Sequence, residues 1–109
     1  MLACIGVEAP GDFSLTSGPS GSYGENLDYN EIAKGATVIL PVYDKGALLF
    51  MGDGHAIMAD GEPTGTSVET SMDVEFSVEI KKNSRVNGPR LLRCWLPAFR
   101  VLPQSEALT

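Results

Sequence analysis

The sequence predicts a mainly β fold, a β-sandwich or barrel-like unit with short helical turns. Three observations point there. Val74-Glu75-Phe76-Ser77-Val78-Glu79-Ile80 alternates apolar and polar residues with period two, the pattern of a half-buried strand. Thr37-Val38-Ile39-Leu40-Pro41-Val42-Tyr43 is dense in β-branched and apolar residues, which suit a pleated surface. Nowhere in the 109 residues is there a heptad, an internal repeat or a long amphipathic stripe.

Taken in order, residues 2–7 read as a short buried strand that Ala9-Pro10-Gly11 ends. Residues 10–25, rich in Gly, Ser and Pro, read as a loop. From Asn26 to Ala33 the pattern fits one helical turn, with Asp28 as N-cap, Glu31 three residues on, and Lys34-Gly35 as the stop. Residues 37–43 form the next expected strand, and Pro41 places it at a sheet edge or bulge. Asp44-Lys45-Gly46 supplies a turn into a further strand over 47–51, so a hairpin is expected. Residues 52–66 read as an acidic, glycine-rich loop, and Thr66–Glu69 as the start of another strand. Beyond Leu91, large apolar residues, arginines and prolines mix with neither period.

Length allows one small domain. Residues 1–90 are read as its partial body and 91–109 as a divergent C-terminal tail with no part in the chemistry. The longest apolar runs, such as Ala47–Met51, fall far short of the ~20 residues a membrane span needs, so no membrane partner is expected. The apolar start has no basic n-region and meets Glu8 too early for a signal peptide, and cytoplasm is the expected location. Cys4 and Cys94 show no C-x-x-C spacing, and two reduced structural thiols fit better than a disulfide. Cys4, in an apolar run, reads as buried and inert.

The net charge of −6 excludes a nucleic-acid partner, which needs a basic face. That charge is uneven. Residues 1–75 hold 12 acidic and 2 basic side chains, whereas 76–109 hold 2 acidic and 6 basic. Within the acidic part, the 17 residues from Asp53 to Glu69 carry four carboxylates and the chain's only histidine. No basic residue occurs between Lys45 and Lys81, so a metal ion or a proton-transfer site is the natural source of the missing positive charge.

Asp53 and His55 stand at i and i+2, which on an extended segment puts both side chains on one side, within reach of one ion. Gly52 and Gly54 let the backbone approach closely there. Asp60, Glu62 and Glu69 are then open to three uses: a further ligand, an orienting partner, or a general base. Imidazole with carboxylate suits zinc, whereas calcium and magnesium take oxygen alone. The bland alternative is a solvated acidic turn in which His55 caps something local. A cupin-type site is disfavoured, since it uses two or three histidines.

The same segment resembles the acetamidase/formamidase family, which carries a run much like L-P-V-x-x-x-G-A-L-F-x-x-G-D-x-H-A-x-Q-G-D-G-E-x-x-G-T-x-x-E. Leu40-Pro41-Val42, Gly46-Ala47-Leu48, Gly52-Asp53-Gly54-His55-Ala56, Asp60-Gly61-Glu62, Gly65-Thr66 and Glu69 match it in order without gaps. Ile5-Gly6-Val7 resembles the family's I-G-V, Gly24-Glu25-Asn26-Leu27-Asp28 its G-G-N-x-D, and Gly88-Pro89-Arg90 lies at its W-P-R. The resemblance covers about residues 2–90. Met58-Ala59 replaces the family's usual Gln-Gly, Glu25 replaces the second glycine of G-G-N, and the continuation E-T/S-x-D-x-x-M is absent after Arg90. Family members are considerably longer, so the chain is read as a fragment or truncated homologue, with a frameshifted or divergent end.

The resemblance implies hydrolysis of small linear amides, formamide or acetamide, to ammonia and carboxylate, with a divalent metal. It makes the chain an amidase if the full family domain is present. Asp53, His55 and Glu69 are the expected metal ligands, zinc first and calcium or magnesium as alternatives. Glu62 is the expected base, with Asp60 as the second catalytic carboxylate, and Asn26 and Asp28 are the expected substrate-binding wall. A domain cut short exposes strand edges, so the expected partners are the small amide and further copies of the chain in a homo-oligomer. The rival expectation is a catalytically inactive metal-binding or assembly module.

Overall fold

Residues 1–11, 14–95 and 100–103 are described by the computed structural model of the protein. Among these residues, seven strands run in the order β1 (Leu2–Gly6), β2 (Gly24–Asn26), β3 (Thr37–Ile39), β4 (Phe50–Ile57), β5 (Val68–Glu69), β6 (Arg90–Trp95) and β7 (Arg100–Pro103). They form two antiparallel sheets, one in the order β2-β1-β4-β5 and one in the order β3-β6-β7. The protein is mainly β, as its sequence predicts, and no helix occurs among the described residues.

The first sheet is built around β1. Cys4 faces Asn26 of β2 on one side and Gly52 of β4 on the other. Small residues make this close approach possible: Ala3 is fully buried, and Val7 and Ala9 follow it into a core shared with Ile32, Met58 and Leu91. The amide of Leu2 donates to the Ile32 carbonyl at 2.8 Å, tying the start of the sheet to the segment before β3.

β2 lies where the sequence suggests the end of a loop and the start of a helical turn. Three residues are too few to leave a periodic signal. The turn of helix expected from Asn26 to Ala33 is replaced by two separate turns, closed by Ile32 N–H to Tyr29 O and Ala36 N–H to Ala33 O, each at 3.0 Å. The backbone at Asp28 explains this. Its φ of 44° is left-handed, whereas an N-cap takes the β region, and its carboxylate is bonded by Asn26 instead of by following amides.

Gly24 and Glu25 both have positive φ, 94° and 90°. A Cβ on Gly24 would sit 2.4 Å from the Ile5 carbonyl oxygen, so only glycine fits there. Glu25 carries a buried side chain in a backbone conformation that glycine adopts freely. A residue held in such a region costs about 1–3 kcal/mol, part of which glycine's greater freedom when unfolded offsets. Glu25→Gly is therefore expected to raise the unfolding free energy by about 1 kcal/mol, read from the midpoint of a urea titration.

Four further expectations are corrected. The hairpin joining 37–43 to 47–51 does not form, because β3 pairs with β6 while β4 pairs with β1 and β5. Ala47 and Leu48 lie between them with φ of 58° and 49°, a turn that carries the chain from one sheet to the other. The acidic segment is not a loop throughout, since β4 extends through Asp53, Gly54 and His55 to Ile57. The alternating run 74–80 forms no strand. Val74, Phe76, Val78 and Ile80 are all exposed, Ile80 at 79%; period two makes a strand only where a sheet edge accepts it. The segment after Arg90, in contrast, is patterned. β6 pairs Leu91 with Val38, and Leu91 is buried.

Candidate active site

The four strands of the first sheet set side chains in a row. Asn26 comes from β2, Cys4 from β1, Asp53 and His55 from β4, and Glu69 from β5. Adjacent members meet because the register aligns them: Cys4 opposite Asn26, and His55 opposite Glu69. Asp53 joins His55 from the same strand, two residues earlier. Its φ of 58° marks a kink within β4. Gly54, between them, has no side chain for a clear reason. A Cβ there would lie 2.8 Å from both the Thr70 carbonyl oxygen and the Met72 side chain.

His55 is the centre. Its side chain is 1% exposed, the most deeply buried large side chain described. Its Nε2 lies 3.0 Å from Asp53 Oδ1, 3.2 Å from Glu69 Oε1 and 3.9 Å from Glu62 Oε1. Its Nδ1 lies 2.9 Å from Met58 Sδ. Glu62 arrives from a turn closed by its own amide on the Ala59 carbonyl at 3.1 Å, with φ of 70° at Gly61 and 42° at Glu62. That turn is anchored where the Gly61 amide donates to the Asp28 carbonyl at 2.8 Å.

Beside this centre runs a short polar chain. The Cys4 thiol donates to Asn26 Oδ1 at 2.9 Å, and Asn26 Nδ2 donates to Asp28 Oδ2 at 2.8 Å. Asp53 Oδ2 stands 3.8 Å from the Cys4 sulfur, so one carboxylate faces both the thiol and the imidazole. Asp28 Oδ1 is buried without a hydrogen-bond partner. Burial first, and then the charges of Glu62 and Asp53, push the Asp28 carboxyl above its ordinary value, against the pull of His55 and the Asn26 hydrogen bond.

Cys4 was expected to be buried and inert. It is half-buried and lies at the edge of the cluster. Burial, with Asp53 and Asp28 adding to it, pushes its thiol up to about 11. Thiolate, the reactive form, is then scarce. At pH 8 about one thiol in a thousand is ionised, against about one in ten for a cysteine at the ordinary value of 9.0. Alkylation of Cys4 by iodoacetamide at pH 8 should run about 100-fold slower than that of an unstructured peptide cysteine, measured by mass spectrometry of the metal-free protein. A rate equal to the peptide's would show that neither burial nor the carboxylates act on the thiol.

Of the site residues the sequence suggests, Asp53, His55, Glu62 and Glu69 are brought together, with Asn26 and Asp28 next to them. Asp60 is placed elsewhere. It is exposed and lines a separate cavity of about 350 Å³ with Leu27, Tyr29 and Arg90. Cys4 and Met58 are the two contacts that sequence reasoning missed. Cys4 required the strand register, while Met58 stands three residues after His55 and was legible only as a departure from a motif.

The donor set fits a divalent cation. Asp53, His55 and Glu69 each offer one ligand atom, and these lie within 4.8 Å of one another. Two ligands about 2.1 Å from a common ion, at 90–110°, stand about 3.0–3.4 Å apart. The Nε2 distances of 3.0 and 3.2 Å to Asp53 and Glu69 lie in that range.

A family model described as the Acetamidase/Formamidase family matches residues 13–99. The match runs past Arg90 into β6 and beyond. No match was found among curated proteins or among solved structures.

Proposed function

Because the chain belongs to the acetamidase/formamidase family, we propose that it takes part in metal-dependent hydrolysis of the carbon–nitrogen bond of small linear amides. The observation that carries this reading is the buried His55 Nε2 facing three carboxylate oxygens at 3.0, 3.2 and 3.9 Å. A solvated acidic turn, the bland alternative, would leave its histidine in water. His55 is instead 1% exposed.

Asp53, His55 and Glu69 would hold the ion, and zinc suits a set that includes an imidazole. When bound, the ion would supply Lewis acidity toward the amide carbonyl and toward water. Glu62, with the longest of the three Nε2 distances, is the proposed general base. Its Oε1 takes a proton from the attacking water, and the same oxygen returns it to the departing nitrogen. Water adds to the carbonyl carbon, the carbon–nitrogen bond breaks, and ammonia and the carboxylic acid leave. Asn26 and Asp28, half-buried beside the cluster, are proposed to bound the space that the amide occupies. Asp60 takes no part in this scheme, since it faces another cavity.

Small amides as the ligand and self-association of the chain complete the proposal. Val74, Phe76, Val78 and Ile80, exposed with no strand partner among the described residues, support the second. The test is metal analysis of purified protein beside ammonia release from formamide and acetamide, before and after chelation. Turnover that survives complete removal of metal would defeat the reading.

A further inference from the structure

His55 is so deeply enclosed that both of its ring nitrogens must find partners within the protein. On the Nε2 side stand the oxygens of Asp53 and Glu69. On the Nδ1 side stands a thioether, Met58 Sδ, at 2.9 Å, itself on a residue only 5% exposed. A thioether has no hydrogen to give and accepts weakly. The contact is therefore satisfied only when Nδ1 carries a hydrogen.

We propose that Met58 is a positioning residue for His55: its sulfur accepts the Nδ1 hydrogen and so leaves Nε2 as the coordinating nitrogen. This rests on the metal reading of the site. With a cation on Nε2, Nδ1 carries the hydrogen that the sulfur accepts and the ring keeps its orientation. The partner of a ligating histidine's second nitrogen orients the ring and adjusts its basicity, and loss of such a partner typically costs 10–100-fold in metal affinity. Met58 is held in place by the core it shares with Ala3, Ile32 and Leu91. It thus couples the packing beneath the sheet to the orientation of the ligand.

The experiment compares the full chain with Met58→Leu, which keeps the apolar volume and removes the acceptor, and Met58→Gln, which supplies a stronger neutral acceptor. Zinc titration calorimetry should show affinity falling at least tenfold in Met58→Leu, and equal to or above the original in Met58→Gln. Unchanged affinity in Met58→Leu would overturn the inference, as would a tenfold loss in Met58→Gln. Thermal melts of the metal-free proteins establish that each variant folds. Should Met58→Leu not fold, Met58→Gln decides alone. A second readout separates this inference from the metal reading. Long-range proton–nitrogen NMR of the imidazole in the zinc-bound protein should show a hydrogen on Nδ1 and none on Nε2. A hydrogen on Nε2 with zinc held through Nδ1 overturns the role of Met58, whereas failure of the original chain to bind zinc overturns the metal reading on which that role rests.

Discussion

Glu62→Gln is expected to bind metal like the original protein and to release ammonia from formamide or acetamide at least a hundredfold more slowly. A positioned general base contributes about 10²–10⁴-fold in rate. Glutamine keeps the shape of glutamate but cannot accept the proton. The geometry sets Glu62 apart from the other two carboxylates: its Oε1 is 3.9 Å from His55 Nε2, against 3.0 and 3.2 Å for Asp53 and Glu69. Its side chain is 15% exposed, whereas that of Glu69 is 63% exposed. Glu62 is the more sheltered of the two glutamates, and shelter strengthens its coupling to a reacting water. Steady-state kinetics and zinc titration on the same preparations check the pair of outcomes. If Glu62→Gln turns over at nearly the original rate while Glu69→Gln does not, the base lies at Glu69. Asp60→Asn, in the separate cavity, should leave turnover within about twofold, a difference of only ~0.4 kcal/mol.

The acidic cluster was legible in the sequence because its elements are local. Asp53 and His55 are two residues apart, and the i, i+2 spacing suggests same-side placement, which β4 reaches with a left-handed kink at Asp53. Glu69 needed one further pairing, β4 with β5, and the expected strand near 66–69 supplies it. The contribution of β1 and β2 could not be read this way. Cys4 reaches Asn26 and approaches Asp53 only through a register that joins residues 22 and 49 positions apart in the chain.

The fold was legible in class and less so in connection. β1 (Leu2–Gly6) fills most of the expected strand 2–7, and β3 (Thr37–Ile39) only the first three residues of the expected strand 37–43; hydrophobic pattern says which residues favour extension and not which partner accepts them. Val74–Ile80 shows this most clearly: it has the best period-two pattern in the chain and forms no strand. β4 shows the converse. Gly52 and Gly54 weaken its propensity, yet Gly54 is required where Thr70 and Met72 press against it. A glycine demanded by packing reads in sequence as a loop.

His55→Ala is expected to lower zinc affinity at least tenfold, about 1.4 kcal/mol, in titration calorimetry of the full chain. The imidazole is the only nitrogen ligand in the set of Asp53, His55 and Glu69, and without it the ion would be left to oxygen ligands, which suit zinc less well. The substitution also empties a site that is 1% exposed, so part of its effect could pass through folding. Two further variants separate the causes. Asp53→Asn and Glu69→Gln change side chains that are 35% and 63% exposed and leave the buried ring in place. Each removes one negative charge from the ligand set, so each should also weaken zinc binding while the metal-free protein melts within a few degrees of the original. Calcium supplies the contrast, since it takes oxygen ligands alone. If His55→Ala leaves zinc affinity unchanged, or lowers calcium affinity as much as zinc affinity, the nitrogen is not a ligand and the cluster is an acidic surface folded around a structural histidine.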